Sequence, residues 1–168
     1  MEAVVCGIDP ALSTSGYAVL RGRGEGFVVV DAGVCRSDER RPLAERLVAV
    51  EHDFTLIFAE HRPGVIAVED LYSHYKHPRT AILMGHVRGV ILAAAARAGI
   101  AVRSYGATRV KCYLTGNGRA TKAQMQRAVQ TTLGLAELPT PADVADALAV
   151  AMCCAADVAH PAHAGAPR

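Results

Sequence analysis

Four acidic residues have types and positions suited to holding a divalent cation. Asp9 and Glu69 each end a short apolar run that predicts a buried strand, and Asp143 and Asp146 lie near the start of an apolar helix. The i, i+3 spacing of the two aspartates puts them on one helix face. Because unpaired carboxylates are costly to bury, such a cluster predicts a metal centre, and we expect a nuclease active site there.

Each acid also has a simpler structural explanation. Asp143 could complement the dipole of its helix, and Asp9, which precedes Pro10, could form an Asx turn. For a single acid such an explanation is favoured. The presence of all four acids at compatible ends of strands and a helix favours a shared site. In such a site, two Mg²⁺ or Mn²⁺ ions about 4 Å apart would activate a water and stabilise the leaving oxygen of a displacement at phosphorus.

The basic residues are concentrated in one part of the chain. Of 168 residues, 18 are Lys or Arg and 16 are Asp or Glu, a net charge of +2, yet residues 71–136 contain no acid. A basic half joined to an acid cluster is typical of a protein that grips a polyanion beside a metal centre; a solvated basic surface is the alternative. The bases of this half are Lys76, Arg79, Arg88, Arg97, Arg103, Arg109, Lys111, Arg119, Lys122 and Arg127.

The composition is that of a compact globular protein. Hydrophobic residues make up 51% and charged residues 20% of a length that fits one domain. We expect that domain over residues 1–157, followed by a disordered tail over residues 158–168. The five cysteines lack C-x-x-C spacing and predict reduced thiols, with Cys6 and Cys35 inside strands.

No segment predicts secretion or membrane insertion. The chain opens directly on a strand, without the basic and apolar regions of a signal peptide. Residues 81–98 are the most apolar stretch, but His86, Arg88 and Arg97 interrupt it, so we expect a buried core helix. The expected location is the cytoplasm.

Periodicity predicts an α/β fold that would position the four acids. Three closely connected strands at the start favour an antiparallel meander, and the later alternation of strands and helices requires strands 1, 4 and 5 to be parallel. The prediction is a mixed five-stranded sheet flanked by helices. The predicted strands are residues 3–9, 16–21, 27–36, 64–69 and 100–105, and the predicted helices are residues 42–59, 80–98 and 121–133 with a last helix from residue 140.

Two helix starts have local signals. Thr121, with Gln124 three residues later, predicts a capping box. Thr140 is predicted to be the N-cap of the last helix, with Pro141 at its first position.

Four blocks of sequence follow one another: Gly7-Ile8-Asp9-Pro10 with Thr14-Ser15-Gly16-Tyr17, the strand ending at Glu69, Gly85-His86-Val87-Arg88-Gly89, and Ala142-Asp143-Val144-Ala145-Asp146-Ala147-Leu148-Ala149. In this order they resemble the RuvC family of Holliday junction resolvases, within the RNase H-like superfamily, over roughly residues 4–153. The resemblance implies an RNase H-like fold and a structure-selective, metal-dependent endodeoxyribonuclease. Such an enzyme resolves four-way DNA junctions by paired symmetric nicks during recombination and repair.

The resemblance implies the roles of the acids and the cofactor. Asp9, Glu69, Asp143 and Asp146 fall on the family's catalytic, metal-binding acids. The implied cofactor is Mg²⁺, or Mn²⁺, with two ions in each active site.

DNA contacts are expected from two sources. By resemblance, Lys111 and Lys122 fall on lysines that contact the DNA backbone, and Tyr72 falls on an aromatic that stacks on a base at the opened junction centre; a buried aromatic is the alternative for Tyr72. The loop over residues 71–79 interleaves aromatic, imidazole and basic side chains, which suits nucleic-acid contact. From this loop and the basic half we add Lys76, Arg79, Arg109 and Arg119.

The resemblance also implies partners. A homodimer would cut strands of like polarity at symmetry-related positions, and the RuvA and RuvB branch-migration proteins would act beside it. Gly85 and Gly89 lie four residues apart on one helix face and allow another backbone to approach closely. That backbone could belong to the chain's own sheet or to the second copy.

Two positions depart from the family's pattern. Ala11 stands where Gly is common, and Asp70 stands where another polar residue is usual after Glu69. Asp70 could be an outer metal ligand, a helix cap or a plain surface acid.

Three other functions compete with the resolvase. An RNase H-like nuclease that processes ribosomal RNA precursors shares the opening strand motif. A sugar kinase or actin-like ATPase also begins with a glycine-acid strand, but it needs two lobes, and 168 residues hold one. A junction-binding protein without catalysis would keep the fold and the basic face, although the intact set of acids argues against it.

Overall fold

The computed structural model describes residues 3–24, 26–70 and 78–160, where a five-stranded sheet carries helices on both faces. The strands are β1 (Val4–Asp9), β2 (Thr14–Arg23), β3 (Gly26–Arg36), β4 (Val65–Glu69) and β5 (Ala101–Tyr105). Their order is β3-β2-β1-β4-β5, with β1, β2 and β3 antiparallel and β1, β4 and β5 parallel. The predicted mixed sheet is confirmed.

Different helices cover the two faces of the sheet. The helices are α1 (Leu43–His61), α2 (Pro78–Arg97), α3 (Ala107–Thr115), α4 (Lys122–Leu133) and α5 (Ala142–Ala159). On one face, Phe54 of α1 and Ile91 of α2 share a core with Ile8 of β1. On the other face, Leu148 of α5 packs with Val5 of β1, and α3 and α4 add to this second core.

Strand alternation decides on which face each strand acid lies. Cys6 and Ile8 of β1 belong to the core under α1 and α2, whereas Val5 belongs to the core under α5. Because successive strand residues point to opposite faces, Asp9 lies on the α5 side, and the same alternation in β4 puts Glu69 there. The helix that carries the other two acids covers this face.

The sequence-based prediction assigned no helix to residues 107–115, where the structure has α3. Its β-branched residues Thr108, Val110 and Thr115 weaken the local helix signal. The available signal was the pair of glycines around it. Gly106 stands at its N-cap, and Gly116 caps its C-terminus in the left-handed conformation with φ 69°.

The start of α5 also differs from the prediction. Thr140 was expected as the N-cap, but the N-cap is Pro141, whose ψ of 175° is extended rather than helical. The helix therefore begins at Ala142, one residue later than expected, and Asp143 is its second residue. By contrast, the capping box of α4 is confirmed. The Thr121 side chain accepts a hydrogen bond from the backbone N–H of Gln124, and the Gln124 side chain accepts one from the backbone N–H of Thr121.

The helix α2 is only partly a core helix. By length and composition Arg79–Arg97 could cross a membrane, contrary to the expectation for this stretch, although a single such helix is weak evidence for a membrane span. Val87 and Ile91 are fully buried against the sheet. The opposite side is open, with Ile82 62% exposed and free space around Gly89.

All five cysteines fall within the described residues and are free thiols, as expected. Cys6 and Cys35 lie in strands and are buried, which confirms their predicted placement. The C-terminal helix runs to Ala159, two residues into the predicted tail, and residues 161–168 lie outside the described part of the chain.

Candidate active site

Two strand glycines let α5 lie directly on the sheet. A Cβ atom at Gly7 in β1 would overlap the main chain of Ala147, and one at Gly16 in β2 would overlap the main chain of Asp143. Gly16 is also the residue that pairs with Asp9 across β1 and β2. The absence of both side chains therefore sets the acidic first turns of α5 beside the end of β1.

The two strand acids end neighbouring strands. Ile8 pairs with Val68 in the parallel register of β1 and β4, so Asp9 and Glu69 are the next residues at the same edge of the sheet. This is the edge at which ligands bind in open α/β sheets.

The charges of the other three acids act on Asp9. Burial, followed by the charges of Asp146, Glu69 and Asp143, raises the pKa of Asp9 to about 7. Burial also raises the pKa of Glu69, again with Asp146 as the largest neighbouring charge. The neighbouring carboxylates thus make ionisation of Asp9 and of Glu69 less favourable, which is the effect expected where acids are clustered.

Two lysines bring positive charge to these acids. The Nζ atom of Lys122, the first residue of α4, lies 3.1 Å from Oδ2 of Asp146. Lys111 of α3 lines the same cleft of about 220 Å³, together with Glu69, Lys122 and Asp146. The charge of Lys111 favours the ionised form of Glu69 and lowers its pKa, which partly opposes the effect of burial.

The donor set fits a hard divalent cation. Four carboxylates supply the oxygen ligands that Mg²⁺ and Mn²⁺ prefer, and their mutual repulsion would be relieved by such a charge. Within the described residues, however, no three His, Cys, Asp or Glu side chains are already grouped as a ready-made metal site. One of the four carboxylates, Asp146, is paired with Lys122.

A buried serine fixes the turn that follows Asp9. The hydroxyl of Ser15, which is fully buried, donates to the Ala11 carbonyl at 2.6 Å and accepts from the Ala11 N–H at 3.0 Å. Ala11 keeps a φ that any residue adopts, because Arg62 is the one non-glycine residue with positive φ in the described chain. Ala11, where the resemblance led us to expect Gly, therefore fits this turn without backbone strain.

Asp70 lies beside an arginine. Its Oδ1 atom is 3.5 Å from Nη2 of Arg88, which also donates to the Ser104 hydroxyl at 2.6 Å. The Asp70 backbone N–H donates to the carbonyl of Tyr105 in β5. Of the alternatives left open by the sequence, these contacts favour a surface acid in an ion pair that ties α2 to the ends of β4 and β5.

The sequence comparison decides the family. Residues 5–154 match the family model described as crossover junction endodeoxyribonuclease RuvC. The chain belongs to the RuvC family. A relative of that name from Rhodopirellula baltica is 50% identical over 149 residues, which are 89% of this chain and 84% of the relative.

Solved RuvC structures have the same fold. The structure of Thermus thermophilus RuvC matches with a TM-score of 0.86 and 32% identity, covering 94% of this chain and 96% of that one. T. thermophilus RuvC in complex with a Holliday junction substrate matches with a TM-score of 0.85 and 33% identity, covering 90% and 92% of the two chains. The sheet order and the helices on both faces are thus the RNase H-like fold of RuvC.

The RuvC-family chain does not bring all the predicted DNA-binding residues to the cleft. Lys111 and Lys122 line it, and Arg79 and Arg119 are exposed. Arg109 instead pairs with Asp157, at the far end of α5 from the acids. Tyr72 and Lys76 lie outside the described residues.

Sequence reasoning missed the residues that position the acids. Ser15, Gly7 and Gly16 were noted as parts of a motif, but no structural role was assigned to them. A glycine inside a predicted strand was the available signal, because it often marks the close approach of another backbone. Which backbone approaches is decided by the tertiary structure.

Proposed function

We propose that the protein is a metal-dependent endonuclease that resolves four-way Holliday junctions by paired, symmetric phosphodiester cleavage. The observation that carries the proposal is the meeting of Asp9, Glu69 and Asp146 beside two lysines at one edge of an RNase H-like sheet. Acids can hold cations and lysines can hold a phosphate, so this edge combines the two requirements of phosphodiester hydrolysis.

The proposed catalytic residues are Asp9, Glu69, Asp143 and Asp146, which would hold two Mg²⁺ ions, or Mn²⁺, between the strand ends and α5. When bound, the metal supplies an activated water and charge stabilisation at the leaving oxygen. Asp9 and Glu69 orient the site from the rigid sheet, and Asp143 and Asp146 do so from the first turns of a buried helix.

The proposed DNA contacts fall into two groups. Lys111 and Lys122 neutralise the phosphate near the acids, while Arg79 and Arg119 contact the backbone farther away. Tyr72 and Lys76, which follow Glu69 in the sequence and lie outside the described residues, complete the proposal for the junction centre. Arg109 has a different environment, because its guanidinium is already paired with Asp157.

A homodimer through α2 is supported by the open side of that helix. Ile82 is 62% exposed, and a Cβ atom at Gly89 would meet none of the described residues within 4 Å. Gly89 therefore does not serve packing on the chain's own sheet, which was one of its two expected uses. The apolar side chains and small residues on this face suit a second copy of α2.

The remaining expectations concern the setting of the enzyme. We propose that residues 1–157 form the nuclease domain, that the enzyme works in the cytoplasm, and that RuvA and RuvB branch-migration proteins deliver its junctions. These follow from membership of the family.

The test is cleavage of a synthetic mobile four-way DNA junction with Mg²⁺, Mn²⁺ or EDTA. Matched duplex DNA, single-stranded DNA and an RNA–DNA hybrid serve as competing substrates. The proposal expects paired, ligatable nicks confined to the junction and abolished by EDTA. Tight junction binding without nicks in any metal would indicate a structural protein, and cleavage of RNA-containing substrates alone would indicate the RNA-processing relative.

A substitution separates chemistry from binding. Asp9→Asn removes a proposed ligand and should lower junction cleavage about a hundredfold or more, while junction affinity stays within a few-fold because the basic residues are untouched. Glu60→Gln is the matched control, since Glu60 is exposed on α1 on the other face of the sheet. Cleavage that survives Asp9→Asn would mean that the proposed active site is wrong.

A further inference from the structure

The ammonium group of Lys122 occupies a position among the acids that a metal ion would compete for. Its Nζ atom is 3.1 Å from Oδ2 of Asp146, and Asp146 is about one-third exposed in the cleft wall. The hydrogen bond and charge of Asp146, followed by the charges of Asp143 and Asp9, raise the pKa of Lys122. Lys122 is therefore in direct contact with one of the four acids, Asp146, and carries a positive charge there.

The backbone positions of this ion pair are fixed. Lys122 follows the capping box of Thr121 and Gln124, so its main chain is held at the start of α4. Asp146 lies between Ala145 and Ala147, which are buried against the sheet. The long, flexible lysine side chain can leave the pair without moving a helix, and its 60% exposure gives it room to do so.

Lys111 provides the comparison. It lines the same cleft and acts on Glu69 through space, yet within the described residues no ion pair joins it to an acid. The two lysines thus carry equal charge in one cleft, but Lys122 alone of the two directly contacts a candidate metal ligand.

We propose that Lys122 is a built-in counter-cation that holds Asp146 in the DNA-free protein and is displaced from it when a divalent cation binds. Its released ammonium group is then available to a phosphate oxygen of the DNA. The inference rests on the proposed metal-dependent function and adds an exchange: metal entry at Asp146 and phosphate contact by Lys122 favour each other.

A consequence distinguishes this exchange from a simple DNA-binding role. Loss of the Lys122 charge should strengthen metal binding in the absence of DNA, because the cation no longer competes for Asp146. The same loss should impair cleavage, because no ammonium group then reaches the phosphate. For a lysine that only contacts DNA, loss of the charge would also impair cleavage. It would raise the affinity for metal no more than the loss of any other nearby positive charge does.

The experiment is titration of DNA-free protein with Mn²⁺, in which free Mn²⁺ is followed by electron paramagnetic resonance. A metal ion that binds Asp146 must first displace the exposed ion pair with Lys122. Because Lys122→Met removes that pair, it should lower the Kd for Mn²⁺ about threefold or more. Lys111→Met is the matched control and should lower it distinctly less, and Lys122→Arg, which keeps the charge, should stay close to the unmodified protein. Circular dichroism verifies that each variant is folded.

Each outcome bears on the proposal. Equal gains for Lys122→Met and Lys111→Met, or no gain for Lys122→Met, would overturn the exchange. If the unmodified protein binds Mn²⁺ and Asp146→Asn weakens that binding, the metal centre stands even when the exchange fails. If Asp9→Asn and Asp146→Asn both leave Mn²⁺ binding unchanged, the proposed metal centre itself is wrong, and the exchange falls with it.

Discussion

Gly16 of β2 lies directly beneath the main chain of Asp143, so closely that a single methyl group at Gly16 would overlap the Asp143 carbonyl. Gly16 is at the same time the cross-strand partner of Asp9. This contact sets the separation between an acid on the sheet and an acid on α5. A backbone contact of this kind makes the geometry of the candidate active site depend on a residue that carries no functional group.

We therefore predict that Gly16→Ala damages the site through its backbone. The methyl group should displace the first turn of α5, lowering the melting temperature and reducing junction cleavage together with Mn²⁺ affinity. Gly22→Ala is the control on the same strand, because its nearest neighbours would be at 3.8 Å, an ordinary contact. Full metal affinity and activity in Gly16→Ala would show that α5 adapts without cost.

The raised pKa of Asp9 predicts a pH dependence of stability in EDTA. An acid whose pKa is about 7 in the folded protein, against an ordinary value of about 4, binds more protons folded than unfolded between these pH values. Its contribution to stability is present below about pH 4 and is lost as the pH rises to about 7. Because Asn cannot ionise, Asp9→Asn does not lose stability in this way. The melting temperature of the variant, relative to that of the unmodified protein, should therefore rise between pH 5 and pH 7.

Thermal melts of both proteins across that range provide the measurement. Titration of the other groups largely cancels in the difference between the two proteins, provided they lie far from Asp9. A difference in melting temperature that stays constant with pH would argue that Asp9 is ionised at its ordinary pKa. Addition of Mg²⁺ should reduce the difference, because a bound cation favours the ionised carboxylate.

The open face of α2 predicts dependence of the homodimer on Ile82. Ile82→Glu places a charge in the proposed interface and should shift the protein to monomers in sedimentation velocity at micromolar concentration. Val30→Glu is the control, because Val30 is also exposed, at 40%, but lies on the edge strand β3. An unmodified protein that is monomeric at this concentration would count against the dimer altogether.

Arg109 and Arg119 should behave differently although both were predicted to bind DNA. Nη2 of Arg109 lies 2.7 Å and 2.8 Å from the two carboxylate oxygens of Asp157, and its guanidinium is 5.4 Å from the ring centre of Tyr105. Arg109→Ala should lower the free energy of unfolding by about 1 kcal/mol, since it leaves the mostly buried Asp157 without its ion pair.

Arg119→Ala should instead leave stability unchanged and weaken junction binding, with a smaller dependence of affinity on salt. Urea unfolding and junction titration at two salt concentrations measure both effects. The reverse result, in which Arg109→Ala weakens binding but not stability, would mean that the Asp157 pair opens when DNA binds.

Local signals in the sequence were enough to predict the class of fold, the candidate acids and the family. Apolar runs, helical periodicity and the Thr121 capping box are local signals, and they located the five strands and four of the five helices. The sequence-based prediction missed α3, because the β-branched residues of this helix weaken its signal. It also placed the start of α5 one residue too early, because in a Thr-Pro pair either residue can be the N-cap.

The assembly of the site depends instead on packing between elements that are distant in the sequence. Strand pairing brought Asp9 beside Glu69 across sixty residues of chain, and Gly16 determined how closely Asp143 could approach them. The same packing separated Lys122, which reaches Asp146, from Arg109, which reaches Asp157. These relationships depend on contacts between residues far apart in sequence. They could not be predicted, because no local pattern specifies which distant backbone packs into a given space.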